Sequence, residues 1–130
     1  MGVALLDTSV VIGALNRDDA LHDAASRAVR AERDRHMLAI STLTYAEILV
    51  GPLRAGGGRA VEVVERLAAQ VRIVDLTPDI ARLAAELRAA RGLTLPDAVI
   101  VATGLRLGVD VIVTADARWK GIEKVTVVDQ

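Results

Sequence analysis

The stretch VALLDTSVVIGAL, residues 3–15, is apolar on both sides of a single carboxylate, that of Asp7. Residues 3–6 are aliphatic, which is typical of a buried strand, and the pattern from residue 9 onward favours a helix. A charged carboxylate left unpaired in such a setting costs on the order of several kcal/mol to desolvate. Asp7 therefore needs a compensating partner, and the candidates are a helix N-terminus, a basic side chain and a metal ion.

The same alternation of short β-branched runs and helical patterns continues along the chain. The predicted strands are residues 3–6, 37–40, 71–76, 111–113 and 125–128. The predicted helices are residues 9–15, 19–35, 42–53, 59–70, 78–91 and 96–107. This order predicts an α/β fold with a parallel sheet covered by helices on both faces. A chain of 130 residues is long enough for one domain, and we expect a single domain over residues 1–130.

The composition excludes several kinds of functional site. Cysteine is absent, so the chain has no disulfide, thiolate zinc site or cysteine nucleophile. The two histidines, His22 and His36, are too few for a histidine metal cluster, and we expect them to be solvated beside a polar helix. Phenylalanine is also absent, which excludes base-stacking platforms built from several aromatic rings. We expect Trp119 to pack in the interior.

The charge and hydropathy patterns indicate a cytoplasmic protein. The N-terminal apolar run lacks a basic leader, and no run approaches the roughly 20 apolar residues of a membrane helix. The net charge of −1 gives no support to a polyanionic partner. Binding to nucleic acid would therefore depend on metal ions or on arginines near loops, among them Arg17, Arg54, Arg91 and Arg118.

Four of the 17 acidic residues have strongly apolar neighbours: Asp7, Glu47, Asp97 and Asp116. Asp7 and Asp116 each follow a predicted strand, and Asp97 begins an apolar helix. Glu47 lies on the apolar stripe of another helix. In open α/β sheets, ligands bind beyond the carboxyl ends of the strands. This placement predicts that the four side chains point toward one edge of the sheet.

Each of these residues also has a purely structural explanation. Asp7 and Asp97 are suited to stabilise helix N-termini, Asp116 to shape a turn and Glu47 to pair with an arginine. If the four converge, their mutual repulsion raises their pKa values unless a cation lies among them. A site made only of carboxylates suits Mg²⁺ or Mn²⁺, ions that activate water for phosphodiester hydrolysis.

With these motifs the sequence resembles the PIN-domain nucleases, and within them the VapC-type toxins of toxin–antitoxin pairs. The matching segments are LLDTSVVIGAL, TYAEILVG, LPDAVIVATG and IVTADARW, which together span almost the whole chain. The resemblance implies a three-layer α/β/α sandwich with a central parallel sheet of four or five strands. It also implies a homodimer, a cognate antitoxin protein as partner, and Mg²⁺- or Mn²⁺-dependent endoribonuclease activity on structured or single-stranded RNA.

The resemblance further implies roles for individual residues. The acidic residues that match the family pattern are Asp7, Glu47, Asp97 and Asp116, and all of them line the metal site; the hydroxyl of Thr114 helps to order it. We expect Asp7 and Asp97 to be direct ligands, and the other two acids to hold water or a second ion. Thr8 and Ser9 are expected to cap the helix that follows Asp7, and the alternative role is to orient Asp7 or a water molecule. The alternative is a non-catalytic PIN-like scaffold that binds a protein or RNA and uses these carboxylates only structurally.

Overall fold

A computed structural model describes residues 2–128 and contains one parallel sheet of five strands, in the order β3-β2-β1-β4-β5. The strands are β1 (Gly2–Leu6), β2 (His36–Ser41), β3 (Arg72–Val74), β4 (Val111–Thr114) and β5 (Val125–Val127). The helices are α1 (Thr8–Leu15), α2 (His22–Arg35), α3 (Thr42–Arg54), α4 (Arg59–Ala68), α5 (Pro78–Arg91) and α6 (Leu95–Leu107), with a short 3₁₀ helix, η1 (Ala117–Trp119). The predicted α/β/α sandwich with a parallel sheet is confirmed.

Most elements agree in length with their predicted bounds to within two residues, whereas α2 and β3 are each three residues shorter than predicted. Helix α2 begins at His22 and not at residue 19, because the side chain of Asp19 accepts a hydrogen bond from the Leu21 amide and holds a turn there. Strand β3 is shorter than predicted. It pairs only with the last part of β2, which ends at Ser41, the N-cap of α3.

The central strands bury both faces, as expected for a parallel sheet. Ala4 and Leu6 of β1 belong to one core cluster, which includes residues of α1 and α2. Leu5 points the other way, into a second cluster that includes Ile100 of α6. This alternation follows from the two-residue period of a strand. It places helices on both faces of the sheet and leaves only the strand ends for polar side chains.

The chain changes direction across the sheet at β1. Strands β2 and β3 follow on one side of β1, whereas β4 and β5 lie on its other side. Strands β1 and β4 are therefore neighbours, with Leu6 beside Val113. Their carboxyl ends form the type of switch point at which α/β proteins bind ligands.

Helix α6 packs closely on this central part of the sheet. A Cβ atom at Gly104 would lie 2.6 Å from the Ile112 side chain, so only glycine allows this approach. Because α6 ends just before β4 begins, its N-terminus lies at the opposite edge of the sheet, where β1 and β4 end. No helix within residues 2–128 combines the length and the apolar character needed to cross a membrane.

The environment of the histidines corrects one expectation. Both are partly buried and therefore less solvated than expected: Nδ1 of His22 is 2.9 Å from the Gly13 carbonyl oxygen, and Nδ1 of His36 is 2.8 Å from a carboxylate oxygen of Glu32. These two contacts hold the imidazole rings at the protein surface, one at each end of α2. The interior position expected for Trp119 is confirmed, since its side chain is fully buried.

Candidate functional site

Asp7 lies at the carboxyl end of β1 and is the N-cap of α1. Its side chain is only 5% exposed. Oδ1 accepts a hydrogen bond from the Thr8 amide at 2.8 Å, and Oδ2 accepts from the hydroxyls of Ser9 and Thr114, each at 2.8 Å. Of the three candidate partners for the Asp7 carboxylate, the structure therefore shows the helix N-terminus. The two hydroxyls provide the remaining hydrogen bonds.

The hydroxyls of Ser9 and Thr114 are themselves fixed by the backbone. The amide of Ala115 donates to Ser9 Oγ at 3.2 Å, and the amide of Asp116 donates to Thr114 Oγ1 at 3.0 Å. A hydroxyl has a single proton to donate, and in both residues it is directed at Asp7. The orientation of the Asp7 carboxylate therefore depends on the loop that follows β4.

Burial raises the pKa of Asp7, and the nearby charge of Asp97 adds to this effect. The hydrogen bonds from Thr114, Ser9 and the Thr8 amide act in the opposite direction because they stabilise the charged form. The net shift is upward. The surroundings of Asp7 therefore destabilise its ionised form, which a nearby cation would stabilise.

Glu47 reaches the same edge of the sheet from α3. Thr8 Oγ1 donates to Glu47 Oε1 at 2.6 Å and also lies 3.0 Å from Thr44 Oγ1. Because the proton of Thr8 is used for Glu47, Thr44 must donate to Thr8. The expectation that Thr8 and Ser9 cap α1 is wrong, because Asp7 is the side-chain cap. The alternative, that these hydroxyls orient Asp7, is confirmed for Ser9, whereas Thr8 contacts Glu47.

Thr44 was not among the residues selected from the sequence. It is fully buried and lies three residues before Glu47 on α3, so the two share one face of the helix. That spacing was the available signal. Its hydroxyl begins the hydrogen-bond chain that ends at Glu47.

Asp97 and Asp116 lie on the outer side of the site and are both partly exposed. Asp97 is in the first turn of α6, whose N-cap, Thr94, accepts a hydrogen bond from the Asp97 amide. Asp116 caps η1. Arg118 donates to both oxygens of Asp116, with the shortest distance 2.6 Å, and its Nη2 is 4.0 Å from Asp97 Oδ2.

Arg118 changes the electrostatics expected for the acidic residues. We expected mutual repulsion to raise their pKa values, but the guanidinium beside Asp116 lowers the pKa of that carboxyl. The same contact raises the pKa of Arg118. The pKa of Asp7 rises as expected, although burial is the largest cause and repulsion by Asp97 a smaller one. The lowered pKa of Asp116 is the exception that the expectation allowed, because a cation, the guanidinium of Arg118, lies beside it.

The donor chemistry of this edge fits Mg²⁺ or Mn²⁺. All the side-chain groups that could bind a cation are carboxylate or hydroxyl oxygens, which hard divalent ions prefer. Within residues 2–128, however, no three acidic or histidine side chains are spaced to hold an ion together. Binding would therefore require the carboxylates to move closer to one another. Asp7 has room for it, because its hydrogen bonds use three of about four acceptor positions.

The chain was compared with known protein families and structures. The family model of the PIN domain matches residues 4–125. A comparison with curated proteins finds no match.

Several solved structures share the fold over nearly the whole chain. A toxin–antitoxin complex from Klebsiella pneumoniae is 27% identical, with a TM-score of 0.80 and 95% of both chains covered. VapBC2 from Rickettsia felis, bound to a promoter DNA fragment, is 18% identical, with a TM-score of 0.79 and 98% of this chain and 99% of that chain covered. Mycobacterium tuberculosis VapC20, described as a sarcin–ricin loop cleaving toxin, is 22% identical, with a TM-score of 0.78 and coverage of 97% and 99%.

Proposed function

The chain belongs to the PIN-domain family, and from that premise we propose that it is a metal-dependent endoribonuclease and the toxin of a toxin–antitoxin pair. The observation that carries the proposal is the position of Asp7. It is a buried carboxylate with a raised pKa, held by oriented hydroxyls at the switch point of a parallel sheet. Titratable groups perturbed in this way at such a position are typical of functional sites.

We assign the metal-binding role first to Asp7 and Asp97, whose charges are close enough to influence each other. Mg²⁺ or Mn²⁺, when bound, supplies positive charge that stabilises the phosphorane-like transition state and lowers the pKa of water. The hydroxyls of Ser9 and Thr114 keep Asp7 in one orientation, so that little reorganisation is needed at the moment of reaction.

We assign Glu47 and Asp116 to the attacking water. Oε1 of Glu47 is held by Thr8, which leaves Oε2 to accept the proton of a water molecule that attacks the phosphorus. The leaving oxygen of the cleaved phosphodiester takes its proton from a second water molecule, which Asp116 orients on the outer side of the site once Arg118 has moved away from it. The hydroxide left behind then takes up the proton that Glu47 accepted.

An apolar groove beside Glu47 supports the proposed antitoxin partner. The groove, of about 560 Å³, lies between α1, α3 and α4, and its walls include Ile12, Ile48, Pro52 and Val63. Ile12 and Val63 are exposed hydrophobic side chains. An antitoxin segment with apolar side chains fits the groove, and a basic side chain at its end would meet the acidic residues. Such a segment would block the site while the pair is intact.

Two further parts of the proposal concern assembly and location. The family resemblance implies a homodimer, and light scattering of the purified chain should give twice the monomer mass. We propose that the protein acts in the cytoplasm, where a ribonuclease toxin meets cellular RNA.

The competing function is a PIN-like scaffold that binds RNA or a protein without cleaving RNA. The hydrogen bonds around Asp7 and Glu47 would then serve only the fold. The two functions make opposite predictions for metal dependence and for variants of the acids.

The deciding experiment is cleavage of a pool of purified cellular RNA, including ribosomal and transfer RNA, by the antitoxin-free chain. Reactions contain Mg²⁺, Mn²⁺ or EDTA. Asp7→Asn and Asp97→Asn are compared with Asp34→Asn, which removes an exposed carboxylate of α2. Circular dichroism confirms that each variant is folded. The nuclease is supported by discrete cuts that need metal, that are lost in Asp7→Asn and Asp97→Asn, and that remain in Asp34→Asn. Cuts that persist in them, or no cuts at all, favour the scaffold.

A further inference from the structure

Arg118 occupies a defined position among the acidic residues. Its Nε lies 3.0 Å and 3.1 Å from the two carboxylate oxygens of Asp116, and its Nη2 is 2.6 Å from Oδ2. The same Nη2 is 4.0 Å from Oδ2 of Asp97. One guanidinium therefore lies between a carboxylate of the η1 loop and a carboxylate of α6.

The backbone helps to fix this arrangement. The amide of Arg118 donates to Asp116 Oδ1 at 2.9 Å, so the 3₁₀ turn holds the guanidinium and its carboxylate together. A planar guanidinium that contacts both oxygens of a carboxylate makes a more directional contact than an ammonium group. The Arg118 side chain is nevertheless 75% exposed, so water can solvate its charge when it leaves the carboxylate.

We propose that Arg118 is the chain's own counter-cation for the acidic site, and that a divalent ion binds by displacing it. The inference rests on the proposed function, since it concerns the metal site assigned there. A guanidinium and a divalent cation repel each other, and an ion held by Asp7 and Asp97 would compete with Arg118 for the carboxylate of Asp97. The ion would therefore displace the guanidinium from this part of the site.

The exposure of Arg118 determines how strongly it competes. Breaking an exposed salt bridge costs little, because water solvates both partners once they separate. Arg118 therefore lowers metal affinity without preventing binding. Removal of its charge should tighten Mn²⁺ binding by about two- to fivefold, which is the range that exposed ion pairs support.

The test is Mn²⁺ binding by the full-length chain, purified without antitoxin and freed of metal with EDTA. Isothermal titration calorimetry gives the dissociation constant, and the Mn²⁺-induced rise in melting temperature gives an independent measure. The variants are Arg118→Gln and Arg118→Lys. Arg82→Gln is the matched control, because Arg82 also forms an exposed salt bridge, with Glu86 at 3.2 Å on α5.

We expect Arg118→Gln to bind Mn²⁺ about two- to fivefold more tightly than the parent chain and to show a larger Mn²⁺-induced rise in melting temperature. Arg118→Lys and Arg82→Gln should stay within about twofold of the parent, since the first keeps the local charge and the second is outside the site.

Three results would overturn the inference. Unchanged Mn²⁺ affinity in Arg118→Gln, together with weaker RNA binding, would make Arg118 a phosphate contact. Equally tight binding by Arg118→Gln and Arg118→Lys would show that the loop geometry, and not the charge, sets the affinity. If no variant bound Mn²⁺ at all, both this inference and the metal-dependent function would fail, whereas a failure confined to Arg118 would leave that function intact.

Discussion

Replacing Thr114 with valine removes one hydroxyl from the interior and keeps the side-chain volume. Thr114 is fully buried, and its hydroxyl donates to the Asp7 carboxylate and accepts from the Asp116 amide. Loss of a hydrogen bond to a charged group costs about 1.5–3 kcal/mol, and an amide left without its acceptor adds about 1 kcal/mol. We therefore expect Thr114→Val to lose about 2.5–4 kcal/mol of unfolding free energy.

Urea denaturation followed by circular dichroism measures this loss in the metal-free chain. A domain of this size shifts its melting temperature by roughly 4 °C per kcal/mol, so the melting temperature of Thr114→Val should fall by roughly 10–16 °C. Thr114→Ser is the matched control. It keeps the hydroxyl and deletes only a methyl group, at a cost of about 1 kcal/mol.

The same pair of variants separates a structural role of the hydroxyl from its role in the site. Because Thr114 orients Asp7, the valine variant should cleave RNA about 10- to 100-fold more slowly at a temperature where it is folded. The serine variant should stay within about threefold of the parent. Equal stability of the valine and serine variants would refute the hydrogen-bond argument. Full activity of a folded valine variant would refute the positioning of Asp7 by Thr114.

Three further predictions concern Asp7 and the interior. Burial raises the pKa of Asp7 above 3.8, so the folded chain binds this proton more readily than the unfolded chain. As the pH rises from about 4 to 7, the parent should therefore lose stability relative to Asp7→Asn. Urea denaturation of both chains at the two pH values measures this change. A gain in the relative stability of the parent over the same range would contradict the raised pKa. Gly104→Ala places a Cβ atom 2.6 Å from the Ile112 side chain and should lower the free energy of unfolding by about 1–3 kcal/mol. Thermal unfolding measures this loss, and an unchanged melting temperature would disprove the close approach of α6 to β4. Trp119 is fully buried, and its Nε1 has no hydrogen-bond partner among the described residues. Trp119→Phe should therefore lose much less unfolding free energy than the roughly 3–5 kcal/mol expected for Trp119→Ala. Equal losses in the two variants would indicate a hydrogen-bond partner for the indole.

The fold could be read from the sequence because its signals are local and repeated. Aliphatic runs of strand length alternate with helical patterns, and a parallel sheet is the arrangement that buries both faces of such strands. Asp7 and Asp116 follow strands that prove to be β1 and β4. Their shared edge follows from the topology, because strand order places β1 beside β4.

The details of the site depend on side-chain directions that periodicity does not encode. The chain of hydroxyls from Thr44 through Thr8 to Glu47 joins residues far apart in sequence. The contact of Arg118 with Asp116 depends on a short 3₁₀ turn that has no periodic signal of its own. The sequence and the family resemblance therefore pointed to the acidic residues and the hydroxyl of Thr114, but not to Thr44 or to the contact of Arg118 with Asp116.

The choice between nuclease and scaffold depends on why Asp7 is charged. Capping α1 requires only a side-chain oxygen, which serine or asparagine provides without the cost of burying a charge. The chain instead places an aspartate at 5% exposure and surrounds it with donors that favour its ionised form. A fold that needed only a cap would gain stability from Asp7→Asn, and selection for stability alone would favour that change. A cation bound by this carboxylate would account for its charge, and the proposed nuclease requires such a cation whereas the scaffold does not.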